Sequence, residues 1–172
     1  MYNKQMKTFF KKGFTLVEMM VILFIIIILS IIVLPNLKPS KARLALERSA
    51  VKLAQDIRWA QQLAMSARDS EQCPGHYSHG ISFSHYGANN NKYIIYVNCA
   101  GNQAYQAGWD DLLEEISLED GVIFSLSGST LNILFTPPQP TTVIMGTPVI
   151  TLRNEAGTKR VSVNGAGSVT VE

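Results

Sequence analysis

Residues 11–29 read KKGFTLVEMMVILFIIIIL, where two lysines and a glycine lead into an almost continuous run of hydrocarbon side chains. The apolar stretch comprises the 21 residues 14–34, and a helix of that length spans roughly 31 Å, close to the hydrocarbon thickness of a bilayer. Its polar residues are only Thr15, Glu18 and Ser30. Because no side of such a helix is polar, the stretch predicts a transmembrane helix rather than a soluble core helix.

The charges that flank this stretch predict its orientation. Four lysines precede it, at Lys4, Lys7, Lys11 and Lys12. The positive-inside rule therefore places residues 1–13 in the cytoplasm and the chain beyond Leu34 outside. A secretory signal needs a small-residue cleavage site after the run, but the run ends in IIVLPNLKPS. An uncleaved signal anchor is the plain alternative, and it leaves Glu18 unexplained.

Glu18 is a candidate functional residue because a carboxylate inside a bilayer carries a penalty of a few kcal/mol. Cleavage of the chain between Gly13 and Phe14 creates an α-amino group four residues before Glu18, and such an amine is cationic or nearly so at neutral pH. A neighbouring chain shifted along the helix axis brings its own amine to this carboxylate. The charge pair then favours side-by-side packing of helices, which lipid alone does not drive.

The segment KKGFTLVEMM resembles the class III signal of type IV pilins and type II secretion pseudopilins. The resemblance implies that prepilin peptidase removes a leader of residues 1–13 by cutting after Gly13, and that Phe14 becomes N-methylated. It also implies that Glu18, at the fifth mature position, supports assembly with other pilin or pseudopilin subunits. The precursor is then expected to cross the cell (inner) membrane once, and the mature chain to enter an extracellular or periplasmic filament.

Residues 35–68 predict an amphipathic stem helix that follows a break. Pro35 and Pro39 each remove a backbone donor and disfavour helix in the preceding residue, so a helix break is expected within residues 34–40. Beyond it, apolar residues recur in steps of three and four at Leu46, Ala50, Leu53, Ala54, Ile57, Ala60, Ala64 and Ala67. This alanine-rich stripe suits close packing against a sheet.

Residues 69–172 predict a globular domain of antiparallel strands. Strand-like segments lie at 81–86, 93–98, 112–118, 122–126, 131–136, 148–154, 159–164 and 168–171. Short strands joined by tight turns predict a meander rather than a parallel sheet. The expected fold class is therefore α+β, a pilin-like long N-terminal helix packed on an antiparallel sheet.

Two further segments resemble one group within the family. The helix end AQDIRWAQQLAMSAR and the closing strands ITLRNEAGTKRVSVNGAGSVTV resemble the H-type minor pseudopilins and T-type fimbrial pilins (GspH/FimT type). Some fimbrial members of that group bind DNA and carry arginines in the final turn, where this chain reads GAGS. Without the leader lysines, 11 of the 15 basic residues remain against 13 acidic ones, which argues against a nucleic-acid partner.

The cysteines Cys73 and Cys99 lie outside the membrane in this topology. An oxidising compartment favours a disulfide between them, which closes a loop of about 25 residues and contributes roughly 3 kcal/mol in the chain-entropy model. Two free thiols are the alternative, because sequence does not give the distance between them.

Two segments have the outline of a metal site. Residues 73–79, CPGHYSH, offer a zinc ion Cys73, His76 and His79, with Cys99 as a fourth ligand, but paired C-x-x-C spacing is missing. Residues 97–111, VNCAGNQAYQAGWDD, resemble a calcium loop, but Asn98, Asn102 and Gln106 stand where carboxylates are needed, and the acids are only Asp110 and Asp111. Neither segment predicts a bound metal.

The remaining sequence predicts no enzyme, cofactor or small-molecule substrate. Ser82 and His85 lack a G-x-S-x-G setting, and no phosphate-binding glycine loop is present. We therefore expect a structural subunit, a minor pilin or pseudopilin of a type IV pilus or a type II secretion pseudopilus, which serves protein transport. A major pilin, a DNA-capturing competence pilin and a signal-anchored enzyme or metal-binding domain are the alternatives.

Overall fold

The computed structural model describes residues 13–33, 37–76, 78–84, 90–119, 121–126, 128, 130–137 and 141–172. The chain divides into two units, residues 1–38 and 39–172. The first unit contains helix α1, Leu16–Val33, and the boundary falls near the start of helix α2, Leu37–Met65. All the described strands belong to the second unit.

Helix α1 has 18 residues and so rises about 27 Å. It is three residues shorter than the predicted stretch 14–34, whose Leu34 lies outside the described residues. From Leu16 to Ile31 every side chain is exposed. In the part of the chain that the structure describes, no helix meets the length and apolarity required of a membrane span.

Helix α2 begins earlier than the prolines predict. Pro39 is its third residue, and the first turn of a helix tolerates proline because the amide there has no intrahelical acceptor. The break predicted at Pro39 is therefore wrong, whereas Pro35 lies outside the described residues. At the other end, Ala67 was expected in the buried stripe, but it is exposed and follows the helix with a φ of 48°.

Two antiparallel sheets complete the second unit. The five-stranded sheet has the order β3-β2-β1-β5-β6, and the four-stranded sheet has the order β4-β7-β8-β9. The strands are β1 His79–Ser84, β2 Lys92–Val97, β3 Asp111–Ser117, β4 Ile123–Ser125, β5 Thr130–Thr136, β6 Thr141–Met145, β7 Val149–Asn154, β8 Gly157–Val163 and β9 Val169–Val171. Every pairing between these strands is antiparallel, which confirms the α+β prediction.

The single meander expected from the sequence is wrong. Strand β1 pairs with β5 as well as β2, with Ile81 opposite Ile133, and β4 leaves this sheet to pair with β7. Strand β6 was not predicted; it pairs along β5, with Ile144 opposite Ile133. His85 and Tyr86, the expected end of the first strand, lie outside the described residues.

The core lies where the apolar stripe of α2 meets both sheets. Leu53, Ala54, Ile57, Ala60 and Ala64 are buried in one cluster with side chains from both sheets. The ring of Phe83 bridges the sheets, with its centroid 5.5 Å from that of Tyr93 and 5.7 Å from that of Phe124. Small alanine side chains let the helix approach the strands closely, as the sequence pattern predicts.

Several polar contacts fix α2 against the rest of the second unit, and two of them lie near its middle. The Tyr93 hydroxyl donates to Oδ2 of Asp56 at 2.5 Å, and Nη2 of Arg58 donates to the carbonyl of Val169 at 3.1 Å. Burial, reinforced by the bond to Asp56, raises the pKa of Tyr93 well above its ordinary value. Tyr93 therefore stays a neutral donor at every physiological pH.

Tyr96 and Tyr93 lie on opposite faces of the five-stranded sheet. The Tyr96 ring covers Gly80 so closely that a Cβ on Gly80 would lie 2.7 Å from Cζ of the tyrosine. Its hydroxyl is buried and has no hydrogen-bond partner among the described residues. Burial, reinforced by the charge of Asp110, raises the pKa of Tyr96 well above its ordinary value.

We expect Gly80→Ala to lower the free energy of unfolding by about 1–3 kcal/mol, because the added methyl group overlaps the ring of Tyr96. Tyr96→Phe should be neutral or stabilising, since it removes a buried hydroxyl without a partner, and it should relieve part of the Gly80→Ala loss. Urea unfolding of the detergent-solubilised full chain measures both effects. Gly128→Ala, where an added Cβ meets nothing within 4 Å, is the control; an equal loss there would contradict the explanation.

Candidate functional site

The N-terminal site predicted from the sequence lies at the start of α1. Gly13, Phe14 and Thr15 precede the helix, and Glu18 is its third residue. The amide of Glu18 donates to Oγ1 of Thr15 at 3.2 Å, and the amide of Met19 donates to the carbonyl of Thr15 at 3.2 Å. Thr15 is therefore the N-cap, and the spacing T-x-x-E is that of a capping box.

The Gly13–Phe14 peptide bond lies outside α1, and both of its residues are exposed. A Cβ built on Gly13 meets no atom within 4 Å, and the Phe14 side chain is 68% exposed. Because the cap at Thr15 starts the helix only after this bond, no helical hydrogen bond has to break before a peptidase binds it.

The Glu18 carboxylate is held in the first helical turn, where the helix dipole favours negative charge. Among the described residues it accepts no hydrogen bond and forms no ion pair. The lysines nearest in sequence, Lys11 and Lys12, lie outside those residues. The backbone nitrogen of Phe14 is four residues away along the chain and becomes an amine only if the preceding bond is cut.

Helix α1 is apolar on every side. Sixteen consecutive side chains, Leu16–Ile31, are exposed, and all but Glu18 and Ser30 are apolar. The Ser30 hydroxyl donates to the carbonyl of Ile26 at 2.7 Å, so it is satisfied within the helix. A helix that is apolar all round needs a cover of lipid or of other helices.

A second organised region joins the end of α2 to the first hairpin. Cys73 and Cys99 form a disulfide, with Cα atoms 5.6 Å apart and a sequence separation of 26 residues. Because Cys99 follows β2, this bond ties the segment after α2 to the strand end. The zinc pattern of residues 73–79 is not available, since the disulfide uses both sulfurs. In the described parts of the chain, no three His, Cys, Asp or Glu side chains lie together as metal ligands.

Asp110 closes the loop that follows Cys99. Its buried carboxylate accepts hydrogen bonds at Oδ1 from the amides of Cys99, at 2.9 Å, and Ala100, at 3.0 Å. Oδ2 accepts from the amide of Gln106 at 2.7 Å. The calcium-like spacing of residues 97–111 therefore serves a loop held by backbone amides. Sequence reasoning missed this role, although an acid placed just after a Gly-Trp turn was its one available signal.

Basic residues of the closing strands lie on the second sheet. Arg153 is opposite Thr158, and Arg160 is opposite Thr151 in the β7–β8 pairing, with Lys159 between them. Asn164 stabilises the final turn, GAGS, because its Oδ1 accepts hydrogen bonds from the amides of Ala166 and Ser168. The turn GAGS itself contains no basic residue, so it adds no positive charge to that of Arg153, Lys159 and Arg160.

We expect Asp110→Ala to lower the free energy of unfolding by about 3 kcal/mol, because three backbone amides lose a charged acceptor. The matched control is Glu114→Gln, an exposed carboxylate four residues further on, for which we expect a change within about 0.5 kcal/mol. Urea unfolding with the disulfide intact measures both. Equal effects of the two substitutions would show that Asp110 does not hold the loop.

Comparison with known proteins bears on the N-terminal site alone. The prokaryotic N-terminal methylation motif matches residues 10–34, which include Gly13, Phe14 and Glu18. No curated protein and no solved structure gives a significant match to the chain. The motif supports a type IV pilin-like protein that is processed at its N-terminus and anchored in a membrane as pilin-type subunits are. It does not extend to the GspH/FimT type in particular.

Proposed function

We propose that the chain is a minor pilin or pseudopilin, a structural subunit of a type IV pilus or of a type II secretion pseudopilus. The observation that carries this proposal is the methylation motif over residues 10–34, at the start of a helix whose side chains Leu16–Ile31 are all exposed. A pilin-like chain of this kind has a structural role, and the proposal requires no catalytic residue.

Processing begins with hydrolysis by prepilin peptidase. The cut leaves a carboxylate on Gly13 and an ammonium group on Phe14, which then becomes N-methylated. The position of the Gly13–Phe14 bond ahead of the Thr15 cap suits this reaction, because the bond lies outside α1 and the helix behind it stays intact. Removing residues 1–13 also removes the four lysines that favour retention on the cytoplasmic side.

Glu18 then selects the packing of the mature chain. Its carboxylate is without a partner among the described residues, and the ammonium group that cleavage creates on Phe14 of a neighbouring subunit can supply one. Attraction between unit charges at about 4 Å grows several-fold when water is excluded, so this pair favours one axial offset between helices. Apolar contact alone does not fix the axial position of one helix against the next, so the charge pair determines how neighbouring helices pack.

The apolar helix has two successive environments in this proposal. It first anchors the precursor in the cell membrane through residues 14–34, and it later lies among the helices of the filament. Extraction exchanges lipid contacts for helix contacts, so the apolar surface stays covered at each stage. The second unit remains outside the membrane, where an oxidising compartment favours the Cys73–Cys99 disulfide.

Different measurements distinguish a minor subunit from a major pilin and from a DNA-binding competence pilin. A major pilin accounts for most of the protein in sheared filaments, whereas a minor subunit is scarce there. A competence pilin binds DNA, and a salt-dependent gel shift with the full chain tests whether Arg153, Lys159 and Arg160 suffice for that. The Asn164-closed final turn gives no support to DNA binding.

N-terminal mass spectrometry of the native protein tests the processing. We expect a mature chain that begins at an N-methylated Phe14 and whose mass no longer includes that of residues 1–13. A native chain that keeps its first 13 residues would refute the proposal, because Glu18 then lacks the amine.

We expect Glu18→Ala to be cleaved and methylated like the wild type but to enter filaments at least tenfold less. The physical reason is the loss of the only carboxylate in α1, which leaves the helices without a preferred offset. Ser30→Ala is the control, because Ser30 is the other polar residue of α1 and its hydroxyl bonds within the helix. Quantitative blots of sheared and membrane fractions measure incorporation. Unchanged incorporation of the Glu18 variant would contradict the pairing argument.

A further inference from the structure

One side chain marks the start of helix α1. The amide of Glu18 donates to Oγ1 of Thr15 at 3.2 Å, and the amide of Met19 donates to the Thr15 carbonyl at 3.2 Å, which is the first bond of the helical ladder. The first amides of a helix have no acceptor within it, and the Thr15 hydroxyl supplies one to Glu18. Thr15 is therefore the residue at which non-helical chain changes to helix.

The segment just before α1 is exposed. A Cβ built on Gly13 meets no atom within 4 Å, and the side chains of Phe14 and Thr15 are open to solvent. The conformation of this segment is therefore set by local preferences. Gly13 has a low helix propensity, and Thr15 provides the cap, so these two residues determine where α1 begins.

Apolar surroundings make the cap more important. In the proposed membrane anchor, an amide without an acceptor is costly because water is scarce there. If residue 15 offers no acceptor, a helix that starts one turn earlier places its unpaired amides next to Lys11 and Lys12, at the aqueous end of the anchor. Loss of the cap therefore favours lengthening of α1 toward the N-terminus.

A lengthened helix would include the Gly13–Phe14 bond. The Gly13 carbonyl would then accept a hydrogen bond from the amide of Val17, four residues further on. Enzymes that hold a peptide in extended form bond to its free backbone groups, which a helix does not offer. The Gly13–Phe14 bond would therefore have to be released from the helix before a peptidase could bind it.

The methylation motif is an independent reason to expect an enzyme at this bond. It matches residues 10–34 and so covers both sides of the Gly13–Phe14 bond. The cap lies one residue beyond Phe14, within the same matched segment. A residue that sets the helix start is thus placed where it controls the conformation of the bond to be cut.

We propose that Thr15 is a positioning residue for cleavage of the precursor, an inference that rests on the proposed function. Its cap holds the Gly13–Phe14 bond outside α1, so that prepilin peptidase binds this bond without unwinding a helix. In the reaction, water adds to the Gly13 carbonyl carbon, the bond to the Phe14 nitrogen breaks, and a carboxylate and an ammonium group result. Thr15 takes no part in these steps and acts through the helix start.

Cleavage of full-length precursors in detergent micelles, by peptidase-containing membranes of the native host, tests this role. Serine and asparagine cap helices at least as well as threonine, whereas valine has the shape of threonine without the acceptor. We expect Thr15→Ser and Thr15→Asn to be cut within about twofold of the wild-type rate. Thr15→Val should raise KM by about threefold or more with kcat nearly unchanged, because only molecules whose bond lies outside the helix bind the enzyme.

NMR of the same micelles without peptidase shows where the helix starts. In Thr15→Val, the Cα chemical shifts of Gly13 and Phe14 should move toward helical values, and in Thr15→Asn they should not. Ser30→Ala is the control for both measurements, since it removes a hydroxyl that bonds to the backbone of α1 far from its start. We expect it to match the wild type in KM, kcat and chemical shifts.

A direct contact between the peptidase and the Thr15 side chain predicts the reverse order. Wild-type kinetics for Thr15→Val, or Thr15→Asn as slow as Thr15→Val, would overturn the positioning role. A fall in kcat at constant KM for Thr15→Val would do so too. If the wild-type precursor is cut and only this order fails, the proposed function stands. If the membranes do not cut the wild type after Gly13, the proposed function fails and the positioning role with it.

Discussion

The absence of a polar side on α1 is the constraint on which the rest of this protein depends. Side chains Leu16–Ile31 are exposed, and hydrocarbon in that amount is not stable in water. Among the described residues, the core of the second unit is built from α2 and the strands with the loops between them. Helix α1 needs a cover of lipid or of other helices, and in our proposal the carboxylate in its first turn selects how those helices pack.

Much of the architecture follows from periodicity alone. The α2 stripe of leucines, isoleucine and alanines at steps of three and four is buried as predicted, because a helix has only one side to offer a sheet. Most strands occur within a few residues of their predicted positions. The partition into two sheets was not predictable, since the choice of β5 rather than β4 beside β1 depends on contacts far apart in sequence. Strand β6 was missed because TTVIM directly follows the proline-rich sequence PPQP, which reads as a loop.

Within the candidate site, the N-terminal residues could be predicted from the sequence, whereas the hydrogen bonds that support them could not. Gly13, Phe14 and Glu18 stand out because a charge in an apolar run is costly, whereas the capping role of Thr15 needs coordinates to be seen. Asp110 was read as a poor calcium ligand, since spacing does not reveal that backbone amides occupy both of its oxygens.

The path by which α2 enters the core has a mechanical consequence. The buried stripe runs from Leu46 to Ala64 along the helix, and the Tyr93–Asp56 and Arg58–Val169 hydrogen bonds tie its middle to the sheets. A force that enters the second unit through the N-terminal end of α2 meets this row of contacts lengthwise. A pull along that axis loads many side-chain contacts together, in shear, instead of peeling them apart one by one. The second unit is thereby suited to resist a pull along α2 without losing its fold.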